Sequence, residues 1–231
     1  ACWAMGVTQH KNAVGTIQEV TNLLFTKGAI GKPGAGTCPV RGHSNVQGDR
    51  TMGINEKPSE AFLNHLDRGM NIASPRNHGY DVVEAIEAMH QQKAKVFIAL
   101  GGNFLSATPD TEFTAEALRN TDLTVHISTK LNRSHLVHGK TAMILPCLGR
   151  TDEDFRNGEK QFLTVENSMG IVHTSTGKLK PVSKQLKSEP EIIAQLAIAT
   201  LGESEQTPWS KWISHYDHIR SLIEKSIPGS I

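Results

Sequence analysis

Two arginines stand in the most glycine-dense stretch of the chain, and what they could hold is the first question the sequence poses. Residues 31–53, GKPGAGTCPVRGHSNVQGDRTMG, carry six glycines, two prolines, Arg41 and Arg50, with Asp49 as the lone carboxylate. Glycines this frequent let the backbone take positive φ, approach a ligand closely and turn successive N–H groups toward an anion. Arg41 can grip an oxyanion through two parallel hydrogen bonds. The same density excludes a continuous amphipathic helix or a buried strand, so a long shaped loop is expected. A surface linker of the same composition would carry no chemistry.

A second group comes from pattern. KVFIALGGN at 95–103 is a short apolar run closing on two glycines, LTVHIS at 123–128 and AMILP at 142–146 are further strands, and a helix from Pro109-Asp110 to Asn120 lies between the first two. Strand and helix alternating with short connections imply right-handed crossovers. The fold class expected is α/β: an open, doubly wound, mostly parallel Rossmann-like sheet with helices on both faces, a small hairpin and a C-terminal helix. Ligands in such sheets sit outside the carboxyl ends of the strands. That rule selects Gly101-Gly102-Asn103, Ser128-Thr129-Lys130 and Pro146-Cys147. There is no GxGxxG spacing with a downstream acid and no GxxxxGK[ST], which disfavours a nicotinamide dehydrogenase or a P-loop NTPase. A diphosphate lying across strand ends remains.

The rest of the chain must position these groups. Residues 1–7 read as a strand leading to Thr8, Gln9 and His10. A helix is expected from Thr16 to Lys27, with Ile17, Val20, Leu23 and Leu24 on one face and Gly28 ending it. Ser59 and Asp81 start two helices, the second buried through Val82, Val83, Ile86 and Met89. Residues 151–160 read as a charged connection, FLTVEN and IVHTST as a hairpin. Ser188 caps a helix to Leu201 with Ile192, Ile193, Leu196 and Ala197 inward, and residues 208–227 form a last helix docked through Trp209, Trp212 and Tyr216. His65, His78 and His90 have no mutual metal-site spacing.

Composition bounds the partners. A formal net charge of +1 in 231 residues argues against a nucleic-acid binder. A mean hydropathy of −0.32 and the lack of a long apolar run argue against a membrane span. Cys2, Cys38 and Cys147 are odd in number and far apart, which implies a reducing, cytoplasmic setting rather than a disulfide framework.

The words GVTQH, GKPGAG and RGHSNVQGD, followed by VFIALGGNF, TKLNRSH, ILPCLGRTD and TVENSMG, resemble the molybdopterin oxidoreductases of the dimethyl-sulfoxide-reductase and formate-dehydrogenase type, in the formate-dehydrogenase-like branch. The resemblance covers residues 3–200. It implies a molybdopterin guanine dinucleotide cofactor carrying molybdenum or tungsten, a small substrate such as formate, and a two-electron oxidoreductase. Gly101, Gly102 and Asn103 would line its phosphate or ribose, and Ser128, Thr129, Lys130 and Asn132 its guanosine end. Gln9, His10, Gly42, Asn45, Gln47 and Gly48 would approach the pterin. Arg41 matches the family arginine that orients substrate, while His43 stands where the family has glutamine. Family members are longer, with an iron–sulfur or cofactor region and a metal ligand before this stretch and a further domain after it. The resemblance therefore implies a central piece, residues 1–205, with a helix at 206–231, inactive alone and partnered by the other domains of its own chain. The alternative is a non-catalytic module of the same fold that binds a nucleotide or another diphosphate.

Overall fold

The computed structural model describes residues 1–40, 45–167 and 170–229. In chain order the elements are β1 (Cys2–Trp3), α1 (Met5–Thr8), α2 (Ala13–Thr26), β2 (Cys38–Pro39), α3 (Val46–Thr51), α4 (Glu60–Met70), α5 (Val82–His90), β3 (Val96–Leu100), α6 (Phe104–Ala107), α7 (Thr111–Arg119), β4 (Leu123–Ser128), a 3-10 turn (Arg133–Leu136), β5 (Thr141–Pro146), β6 (Phe155–Arg156), β7 (Glu159–Lys160), β8 (Leu163–Glu166), β9 (Val172–Ser175), α8 (Glu189–Leu201), α9 (Trp209–Ser214) and α10 (Tyr216–Ser226). The fold is α/β, with parallel sheets flanked by helices and small hairpins beside them. It divides into two compact units, residues 1–49 with 165–173, and residues 50–164 with 174–231.

In the first unit β1 and β2 pair in parallel, Cys2 opposite Cys38 and Trp3 opposite Pro39. The strand expected over residues 1–7 stops at Trp3. The chain turns at once into α1. Gly28, at φ +59°, closes α2 as expected, but Leu23 is exposed rather than inward. The glycine-rich stretch is not all loop: it contributes β2 and the six residues of α3.

The second unit is built on β3-β4-β5, all parallel and in sequential order. Period-two alternation puts Phe97, His126 and Ser128 on one face and Val125 and Ile127 on the other. Ile86, Met89, Leu105, Ala115 and Leu118, from α5, α6 and α7, pack with Phe97 against the first face. Ile192 of α8 and Cys147 pack with Val125, Ile127 and Leu145 on the second.

Several expected burials are corrected by this layering. β3 is an edge strand, so it is not buried on both faces: Val96, Ile98 and Leu100 are 54%, 46% and 54% exposed. Val82 and Val83 lie in the first turn of α5, beyond the reach of the cluster that holds Ile86 and Met89, and are exposed. Ile193 is 40% exposed, whereas its neighbour Ile192 is buried. Residues 151–160 are not a plain connection, since β6 and β7 form an antiparallel hairpin through Asn157 (φ +51°) and Gly158 (φ +84°). An Asn-Gly pair in those conformations matches the twist of a tight hairpin. The C-terminal tail is two helices, broken at His215, whose extended backbone (φ −157°) ends one and caps the next.

Local stop and start signals were the better guide. The Ser59 Oγ accepts from the Phe62 N–H at 3.2 Å, and the Asp110 Oδ1 from the Phe113 N–H at 2.9 Å. Asp81 and Glu84 form a reciprocal capping box. Among the described residues no helix is long and apolar enough to cross a membrane.

Candidate functional site

The carboxyl ends of β3 and β4 create the site. After Leu100 the chain must leave the sheet without blocking its rim, and it does so through Gly101 (φ +68°) and Gly102 (φ +75°). Side chains rarely tolerate two such residues in succession. A Cβ at either position would meet no atom within 4 Å, so the turn faces open space. The Gly101 N–H donates to the Ile127 carbonyl at 2.8 Å, stitching the turn to the neighbouring strand end.

Side chains from the loop after β4 brace that turn from below. Asn132 Nδ2 donates to the Gly102 carbonyl at 2.8 Å, and its Oδ1 accepts from the Ser134 N–H at 2.9 Å. Ser134, buried, donates through Oγ to Asn103 Oδ1 at 3.0 Å and accepts from the Leu105 N–H at 3.0 Å. His135 Nδ1 lies 3.0 Å from the Asn132 N and 3.1 Å from its carbonyl oxygen, and Nε2 lies 3.1 Å from Ser128 Oγ, tying the loop to the end of β4. The His135 ring lies 4.6 Å from that of His126. His126 is buried with Nε2 unpartnered, and burial, then the nearby His135, hold its pKa below the usual histidine value.

The structure thus gathers Gly101, Gly102, Asn103, Ser128 and Asn132. It gives Asn132 a bracing role, since both ends of its amide are used within the protein. Thr129 and Lys130 are exposed at the rim. Cys147 does not belong to it: it packs in the apolar cluster under α8, and burial, with Glu189 nearby, pushes its thiol up to about 11. His126, Ser134 and His135 were missed from sequence. The spacing of His126 and Ser128 in a strand, two residues apart and therefore on one face, could have revealed the first.

The first unit holds the other candidates. Gln9 and His10 are exposed just after α1, with the His10 Nδ1 accepting from the Asn12 N–H at 3.2 Å. Asn45, at φ +65°, accepts through Oδ1 from the Glu166 N–H at 2.8 Å, and Gly48 packs on that side chain so closely that a Cβ would collide with it. Gln47 is exposed on α3. Arg41, Gly42 and His43 lie outside the described residues. Among the described residues no three His, Cys, Asp or Glu side chains gather as a metal site.

A cavity of about 430 Å³ lies elsewhere in the second unit, lined by Leu100, Leu163, Ile193, Trp209, Trp212 and Leu222. Its walls are almost wholly apolar, in contrast to the polar, open rim. What the rim can do is hold a polar, phosphate- or ribose-bearing group by backbone and side-chain hydrogen bonds, with Lys130 as a cation beside it.

No family model matches the chain. It is 61% identical over 228 residues to an uncharacterized oxidoreductase of Mycobacterium tuberculosis, and 46% identical over 227 residues to the protein YdeP of Escherichia coli K12. These matches cover 99% and 98% of this chain, and 29% and 30% of the relatives, so it spans under a third of their length. It is also 26% identical over 183 residues, 72% of the chain, to the F420-dependent formate dehydrogenase 1 subunit alpha of Methanococcus maripaludis. The chain is therefore, along nearly its whole length, a homologue of part of a longer protein named an oxidoreductase.

Proposed function

We propose that this chain is the cofactor-binding α/β part of a molybdopterin guanine dinucleotide oxidoreductase of the formate-dehydrogenase-like type, working in the cytoplasm on formate or a similar small acid. The observation that carries this reading is the open Gly101-Gly102 turn at a parallel strand end, braced from behind and bare in front, in a homologue of oxidoreductases. Such a turn fits a diphosphate, because it offers backbone without side chains. When bound, the metal of the cofactor supplies the two-electron chemistry.

The chain's own residues bind and orient. Gly101, Gly102 and Asn103 hold the phosphate or ribose, Thr129 and Lys130 the guanosine end, and Ser128 and Asn132 keep the rim in shape. Gln9, His10, Gly42, Asn45, Gln47 and Gly48 are assigned to the pterin. Arg41 orients the substrate carboxylate through its planar fork, and His43 adds a donor whose charge titrates near neutrality.

The test has two parts. Purified residues 1–231 should show no formate-dependent dye reduction, since the reading places the metal ligand in another part of the longer protein. In that longer protein, extraction should yield guanine nucleotide with molybdenum or tungsten, and Gly102→Val should lower the nucleotide content at least tenfold, a threshold of about 1.4 kcal/mol. Turnover by the short chain, or nucleotide without metal, defeats the oxidoreductase reading; the second result favours a non-catalytic diphosphate-binding module.

A further inference from the structure

We propose that Cys2 and Cys38 are a redox-modification site, closing reversibly to an intrachain disulfide. The two are register partners of the parallel β1–β2 pair. That register is pinned on both sides, by the Cys38 N–H donating to the Ala1 carbonyl at 2.8 Å and the Val40 N–H to the Trp3 carbonyl at 2.7 Å.

Register partners in a parallel ladder project to the same side of the sheet, and neighbouring strands run about 4.8 Å apart. A disulfide spans Cα separations of about 4.4–6.8 Å, a range that includes this inter-strand spacing. Both thiols are free and exposed. A hydrogen bond to Cys2, then the charge of that group, raises the pKa of Cys38, as expected of two sulfurs sharing a proton. Cys147 is free but buried, which makes it an internal reference.

The oxidant required is a low-molecular-weight disulfide. The Cys2 thiolate attacks one sulfur of oxidised glutathione, forming a mixed disulfide and releasing one glutathione thiolate. The Cys38 thiolate then attacks Cys2 Sγ and releases the second. Two protein thiols are oxidised, one small disulfide is reduced to two thiols, and the two cysteine protons end on the released glutathiones. The product closes residues 3–37, with α1, α2, Gln9 and His10, into a covalent loop.

The reduced chain, incubated with oxidised glutathione at neutral pH, should lose two of its three thiols. It should become two hydrogens lighter and keep no glutathione. The tryptic peptides 1–11 and 28–41 should appear joined, and dithiothreitol should separate them. In Cys38→Ser the glutathione should remain on Cys2. Unreactive thiols, glutathione stably retained on both cysteines of the wild type, or links between two chains instead of within one would each overturn the proposal. None of these outcomes depends on the cofactor assignment.

Discussion

Asn132 is where a single side chain matters most to the candidate site, because its amide holds the Gly102 carbonyl with one end and the Ser134 N–H with the other. Asn132→Ala would leave both without their partner. The expected cost is about 1–2 kcal/mol, read as a lower urea midpoint with unchanged slope. Asn132→Asp keeps the acceptor but loses the donor, and should relax Gly102 while sparing the 3-10 turn. His126 gives the site a pH dependence of defined sign. Its folded pKa is depressed, so below the unfolded value of 6.5 the unfolded chain binds a proton that the folded chain refuses. Stability should therefore fall as pH drops below 6.5 and stay flat, for this group, above it. Thermal midpoints at pH 7.5 and 5.5 should differ more in the wild type than in His126→Leu; equal differences would remove His126 as the cause.

Among elements, α4 and α10 cross in close contact at Gly69. A Cβ on Gly69 would lie 2.6 Å from the Ser226 Cα and 2.8 Å from the Lys225 carbonyl oxygen, both backbone. Gly69→Ala must push the helices apart and should cost about 1–3 kcal/mol. Gly15, in the first turn of α2, has nothing within 4 Å, and Gly15→Ala should instead stabilise by about 0.5–1 kcal/mol. Denaturant midpoints of the two variants should move in opposite directions. This scale also shows what the sequence could express. Ser59, Asp81, Asp110 and Ser188 announced their helices because a cap involves residues two or three apart. The exposed face of Val96, Ile98 and Leu100 was unreadable, since burial there depends on what covers an edge strand and the run itself is uniformly apolar. Asn157-Gly158 was readable and overlooked. Gly101, Gly102 and Asn103 followed from the strand-end rule, whereas the support from Ser134 arises from tertiary contacts about 30 residues distant in sequence, and that from His135 from a loop folding back on Ser128.

Across the second unit, the hairpin β6–β7 and helices α8 and α10 meet at one buried polar cluster. Arg156 donates to Glu191 at 2.7 Å and to Ser188 Oγ at 2.8 Å, and lies 3.4 Å from Asp154. The Tyr216 hydroxyl bonds to Asp154 and lies 2.6 Å from Ser188 Oγ, while its N–H donates to Gln161 at 3.0 Å. Burial, then the bond to Asp154, pushes the phenol up to about 12, so it keeps its proton at any pH the protein meets. Apart from Arg156 Nε, which is buried without a hydrogen-bond partner, the members bond to one another, and losing one strands a charge in a dry setting. The three elements, up to 62 residues apart in the chain, should consequently open to solvent as one cooperative body. Deuterium uptake in native buffer would then give amides of β6–β7, α8 and α10 a common opening free energy. Tyr216→Phe should lower all three by the same amount, about 1–2 kcal/mol, and leave α5 and α7 slow.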